Sequence, residues 1–124
     1  MAPRNRTIEI TMLAALAATE KLATNVVALD LTQQLLLSEV FLIVSGKNER
    51  QIEAISDEIE LKLQQVGEKT ARKEKSEHWI LLDYDDLVVH IQTEEIRQYY
   101  MLDRLWNDCP VIDLNTREIH QEQR

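Results

Sequence analysis

Three carboxylates crowd one short stretch, "WILLDYDDLVVHIQ" at residues 79 to 92, where Asp83, Asp85 and Asp86 stand close together. Converging Asp residues that hold divalent metal are the ligand set of nucleotidyl transfer. The "SG" pair at 45 to 46, ahead of a helical pattern, is the kind of turn that lets a phosphate approach a helix N-terminus. The spacing argues against both. On a strand Asp83 and Asp85 share a face, but a chain reversal at 85 sends them apart, and two-metal chemistry needs ligands that converge on ions about 4 Å from each other. Ser45 and Gly46 are followed by Lys47 without a second glycine, and they precede the carboxylates by a helix and a strand. His78, His90 and His120 have no mutual spacing of a metal site. Cys109 is the single cysteine, so an internal disulfide and a thiolate zinc cage are excluded. It has no neighbouring base and reads as a small side chain beside Pro110 at a helix end. No complete set of nucleophile, base and orienting group is present, so no catalytic residue, metal or cofactor is expected.

The same stretch makes better sense as a hairpin. A two-residue loop at Asp85-Asp86 places Tyr84 opposite Leu87, Leu82 opposite Val89 and Ile80 opposite Ile91, a wholly aliphatic face that belongs to a core. The alternate face carries Trp79, Leu81 and Asp83 from one strand with Val88, His90 and Gln92 from the other. A solvated face would not hold a Trp and a Leu, and a second buried layer would not gather Asp83, His90 and Gln92. That mixture has the composition of a protein-docking surface. The competing expectation is that the last helix folds over this face and hides its apolar members.

The elements that position the hairpin follow from periodicity. Residues 7 to 22 set Met12, Leu13, Leu16 and Ala17 on one side of a helix, with Thr7 at its N-cap. Residues 26 to 31 and 39 to 45 are strand-like, and the second, apolar on both faces, is expected at the centre of the sheet. Asn48 and Gln51 form a capping-box pattern. Ile52, Ile55, Ile59, Leu63 and Val66 then recur at helical spacing, and Gly67 follows as C-cap. Residues 69 to 75 read as a weak strand or loop. Residues 93 to 108 read as a helix opened by Thr93 and closed before Pro110. Helices interleaved with strands predict an α/β (α+β) domain, a small mixed sheet flanked by helices.

Composition bounds the rest. With 124 residues, 44% hydrophobic and 29% charged, the chain is expected to form one domain over 1–110, with 111–124 as a flexible tail. No apolar run approaches the roughly 20 residues of a membrane span, and the opening "MAPRNRTIEI" lacks the apolar centre of a secretory signal, so the expected location is the cytoplasm. The 14 Lys+Arg against 22 Asp+Glu leave a net charge of −8, which disfavours direct DNA or RNA binding and suits a basic protein as partner. The one basic tract, "EKTARKEK" at 68 to 75, is a solvated mixed-charge edge.

Three segments together resemble the ribosomal silencing factor family, RsfS or Iojap-like: "VSGKNERQIEAI" at 44 to 55, "WILLDYDDLVVHIQ" at 79 to 92 and "RQYYMLDRLWND" at 97 to 108. The segment D-Y-x-D-x-V-V-H is the most distinctive. The resemblance implies a domain of nucleotidyltransferase-like shape without the catalytic residues. It also implies binding to ribosomal protein L-fourteen of the large ribosomal subunit, which blocks joining of the small subunit and represses translation when nutrients are short. Trp79, Asp83, His90 and Tyr100 are carried over from the motif as partner-binding residues, and Leu81 and Val88 join them from the face argument. Either Tyr99 or Tyr100 reaches that side. Two features depart from the family pattern: Glu39 and Val40 stand where an Asp and an aromatic or Cys commonly precede the strand, and Asp85 stands where Gly or Ser is frequent. Two other readings stay open, a metal-dependent nucleotidyltransferase-like enzyme and a homodimer formed through the exposed face.

Overall fold

The isoleucine ladder of the second helix sets the arrangement of the rest. In the computed structural model, which describes residues 2–34, 37–105 and 107–114, the chain runs α1 (Asn5–Glu20), β1 (Thr24–Asp30), β2 (Val40–Gly46), α2 (Glu49–Gln65), β3 (Arg72–Lys75), β4 (Trp79–Asp83), β5 (Leu87–Thr93), α3 (Glu94–Tyr100), α4 (Leu102–Leu105) and β6 (Val111–Ile112). Ile52, Ile55, Ile59 and Leu63 of α2 are all completely buried. Each contributes roughly 1.5–3 kcal/mol by leaving water. Val66, expected to extend that stripe, is instead the C-cap and is exposed, and Gly67 at φ 89 ends the helix after it. Asn48 Oδ1 accepts from Gln51 N–H at 2.9 Å, so the expected cap forms.

The six strands form one mixed sheet in the order β3-β4-β5-β2-β1-β6. Only β2 and β5 are parallel, with Ser45 beside Gln92 and Phe41 beside Val88; the other neighbours are antiparallel. The expectation of a central β2 holds, and β5 beside it is buried along its whole length. Helices α1 and α2 cover one face, where Ala28, Leu42, Val44, Ile80, Leu82, Val89 and Ile91 join the α2 isoleucines in the main core.

Helix α1 differs from expectation at its start and in its buried side. Arg4, not Thr7, is the N-cap, and Thr7 lies buried inside the first turn. Of the expected side, Ala17 is buried and Met12 and Leu13 pack partly buried against the core, whereas Leu16 is exposed and Ile10, Ala14 and Ala18 are buried instead. Short alanines let the helix axis approach its neighbours, and that close approach turns the larger leucine outward. Arg4 also fastens this end of the fold. Its backbone N–H and Nε both bond Glu39, at 3.0 and 3.1 Å, and its guanidinium pairs with Asp86 in the β4–β5 turn. Burial pushes the Glu39 carboxyl up, but the Arg4 backbone bond, a Thr7 hydroxyl bond and the Arg4 charge outweigh it and leave the group below its ordinary value. Glu39 therefore keeps a polar role despite the altered residue type.

The C-terminal stretch needs a correction at its beginning. Val111 and Ile112 pair with Leu29 and Ala28 of β1, and Leu114 is buried in the main core, so a loose tail does not start at 111. The edge of β1 offered unpaired backbone groups, which the short β6 satisfies. The expected tail from 115 onward lies outside the described residues. Among the described residues no helix is long and apolar enough to cross a membrane.

Candidate docking face

The hairpin register fixes the site. Asp83 pairs with Val88, Leu82 with Val89, Leu81 with His90, Ile80 with Ile91 and Trp79 with Gln92, as the two-residue loop requires. Tyr84 N–H donates to Leu87 O at 2.8 Å, and Asp85 adopts φ 69 with its N–H bonded to Asp83 Oδ1 at 2.8 Å. Asp tolerates this left-handed turn position better than most residues because its own short polar side chain can bond locally, and here the Asp83 carboxylate also holds the Asp85 N–H.

The sheet face opposite α1 and α2 is covered over only part of its width. On the β1–β2 side, Leu29, Leu31, Ile43 and Cys109 form a second small core with Leu102 packed on it. Burial pushes the Cys109 thiol up, away from the reactive thiolate. Arg97 of α3 is buried and its Nη1 donates to Ser45 Oγ at 2.8 Å. Helix α3 begins as expected, with Thr93 Oγ1 accepting from Ile96 N–H. The expected single helix over 93 to 108 breaks at Met101, which takes a left-handed φ of 50. The break redirects α4 over the β1–β2 half and leaves the β4 strip uncovered.

The last helix covers this face only in part. Trp79, Leu81 and Asp83 are partly exposed, while Val88, His90 and Gln92, one strand further in, are buried. The six expected partner-binding residues divide accordingly: Trp79, Leu81, Asp83 and Tyr100 reach the surface, and Val88 and His90 form the floor beneath. Tyr100 lies against Trp79 with ring centroids 5.2 Å apart, and Tyr99, 75% exposed, meets Tyr100 at 5.1 Å with the rings tilted by 51°. Both tyrosines therefore belong to one aromatic row. Phe41 was not expected here; it is partly exposed and meets His90 edge to face at 4.8 Å. The signal for it was present in the alternation of Phe41, Ile43 and Ser45 against Val40, Leu42 and Val44. Burial of Arg97 had no comparable sign. A shallow hollow of about 310 Å³ beside the row is lined by Glu74, Lys75, Ser76, Trp79 and Leu81.

The acidic cluster does not converge. Asp83 Oδ2 lies 3.8 Å from Arg72 of β3, whereas Asp86 pairs with Arg4 below α1, so the two carboxylates serve different elements. The "SG" pair is not a turn but the end of β2, and it is committed to packing. Ser45 accepts from Arg97, and a Cβ on Gly46 would stand 3.0 Å from Ile52 Cγ2, so the glycine admits the helix rather than a phosphate.

The family model for "Ribosomal silencing factor during starvation" matches residues 4–124. The chain belongs to the ribosomal silencing factor family. It is 38% identical over 108 residues to the ribosomal silencing factor RsfS of Halalkalibacterium halodurans, covering 86% of this chain and 92% of that protein. With RsfS of Bacillus subtilis it shares 35% over 108 residues, with the same two coverages. Among solved structures, a Chromobacterium violaceum protein superposes with a TM-score of 0.77 at 28% identity, covering 81% of this chain and 85% of that one. The resemblance carried by the three sequence segments is therefore correct, as is the mixed α+β class. A ribosomal silencing factor is a ribosome-associated regulator of translation, and the aromatic strip is to be read in that setting.

Proposed function

We propose that this chain acts without catalysis, docking through the β4 strip onto ribosomal protein L-fourteen of the large subunit and blocking the small subunit by its bulk. The observation that carries the reading is the row of Trp79, Tyr100 and Tyr99 beside Leu81, left open on a sheet face whose other half is covered. Aromatic anchors over a buried floor, with polar groups at the margin, are what a protein interface concentrates. Asp83 and Glu74 stand at that margin and Arg72 bridges them, at 3.8 and 3.1 Å. The net charge of −8 favours a basic ribosomal protein over bare RNA. Such a factor works in the cytoplasm, where free subunits are found. The divergence of Asp83 and Asp86 weighs against the metal-dependent transferase alternative.

Sedimentation of the purified protein with separated subunits tests partner and mechanism together. It should pellet with large subunits and not small ones, and large subunits loaded with it should form fewer joined ribosomes. Co-sedimentation with small subunits alone, or undiminished joining, would reject the reading. Sedimentation of the protein by itself separates a homodimer from a free docking face.

A further inference from the structure

Trp79 is the largest side chain on the open strip, and its indole is held from beneath. Its Nε1–H donates to His90 Nδ1 at 3.2 Å, across rings 5.9 Å apart and tilted by 57°. An indole nitrogen can only donate, so Nδ1 must present its lone pair and the imidazole hydrogen must sit on Nε2. His90 is 6% exposed, and its Nε2 has no hydrogen-bond partner among the described residues. An aromatic hydrocarbon of similar volume would fill this place without burying an unpaired N–H, which carries a free-energy cost. The polar ring is therefore explained by its other nitrogen. Burial holds its pKa down to about 4, so at neutral pH the ring is uncharged and able to accept. Phe41 meets the imidazole edge to face, and Tyr100 lies against the indole.

We propose that His90 is a positioning residue for docking: through its Nδ1 acceptor it holds the Trp79 indole in the orientation offered to the protein partner, without touching that partner itself. The proposal rests on the docking reading above and changes the part His90 plays in it, from a contact residue to the support of one. An anchor ordered before binding does not lose its rotamer freedom on binding, so the constraint improves affinity without adding a contact.

Three variants of the full chain separate acceptor from filler. His90→Asn places an amide oxygen on Cγ, where Nδ1 sits; His90→Phe keeps the ring without an acceptor; His90→Gln moves the polar atoms one bond outward. The first readout is solvent exchange of the Trp79 indole hydrogen in labelled protein, assigned with Trp79→Phe, the second tryptophan, Trp106, supplying the other indole signal. The second is pelleting with purified large subunits. Protection should survive in the Asn variant and vanish in the Phe and Gln variants. The latter two should hold large subunits at least about tenfold more weakly, the Asn variant within about threefold of wild type. A folded Phe variant that binds like wild type overturns the proposal. Equal weakness of the Phe and Asn variants also overturns it, since packing alone would then explain His90. The imidazole tautomer, read by long-range nitrogen correlation in the unmutated chain, decides independently of variant folding: a hydrogen on Nδ1 ends the proposal. Failure of the unmutated chain to pellet with large subunits sinks the docking reading, and the tautomer still reports separately on the bond to Trp79.

Discussion

Trp79 and Ile80 are consecutive in β4 yet end in opposite environments. Ile80 is 1% exposed and faces Ile91 under the helical layer, while Trp79 lies partly exposed on the uncovered face between His90 and Tyr100. Strand alternation produces this separation, and it allows binding and stability to be tested at adjacent positions. Trp79→Ala should melt close to wild type but lose roughly 2 kcal/mol or more of large-subunit binding, as truncated aromatic anchors do. Ile80→Ala should open a cavity and lose roughly 2 to 5 kcal/mol of stability, with its folded fraction still binding. Chemical denaturation and subunit pelleting decide between them. A Trp79 variant that unfolds as readily as the Ile80 variant would move the docking site elsewhere.

Charge should govern encounter more than residence. The chain carries −8, and charges on exposed rims act over a screening length of about 10 Å at 0.1 M salt. Raising salt should slow association with large subunits while changing dissociation little, because steering acts before the surfaces touch. Stopped-flow association rates that stay level across the salt series would remove the electrostatic part of the reading.

Acid should weaken the fold through His90. The ring protonates near its ordinary 6.5 in the unfolded chain but only near about 4 when buried, so the unfolded state takes up its proton first as pH falls. Its contribution is fully present above pH 6.5 and drains away toward pH 4, roughly 3 kcal/mol over that window. Urea denaturation at several pH values should show His90→Phe losing less stability in acid than wild type. Parallel pH curves for the two proteins would mean that the imidazole is not protected from protonation.

Period-two alternation around a two-residue loop has few solutions, which is why every pair from Trp79–Gln92 to Asp83–Val88 was legible before any coordinate. The α2 ladder was legible for a similar reason, since isoleucines at helical spacing admit one buried side. Exposure within the docking face was less accessible. It depends on where α3 stops, and Met101, a residue with no particular preference for φ 50, ends it there without a glycine or proline to mark the place. Of the side expected on α1 only Leu16 was misplaced, because it outweighs alanine in hydrophobicity whereas close helix packing selects the smaller residue; Ala17 is buried and Met12 and Leu13 pack on the core as expected. The β6 strand was missed because two residues carry no periodicity of their own; their pairing follows from the open edge of β1.

The turn at Asp85 offers a final test, of stability rather than of docking. Asp85 holds φ 69, where a left-handed conformation costs an ordinary L-residue roughly 1–2 kcal/mol, and the Asp83 Oδ1 bond to its N–H offsets part of this. Asp85→Gly removes the steric penalty, but glycine also frees the unfolded chain by about 0.5–1 kcal/mol, so the net change should be small and slightly favourable. Asp85→Val keeps the N–H donor and adds a branched Cβ that this conformation rejects, so it should lose about 1 to 2 kcal/mol relative to the Gly variant. Urea denaturation of the three proteins gives the order, Gly at or above wild type and Val lowest. Both variants should still pellet with large subunits, because the side chain of residue 85 lies outside the aromatic row. A Val variant as stable as the Gly variant would show that the turn relaxes out of the left-handed region, and with it the register that sends Trp79 and Ile80 to opposite faces would be open to slippage.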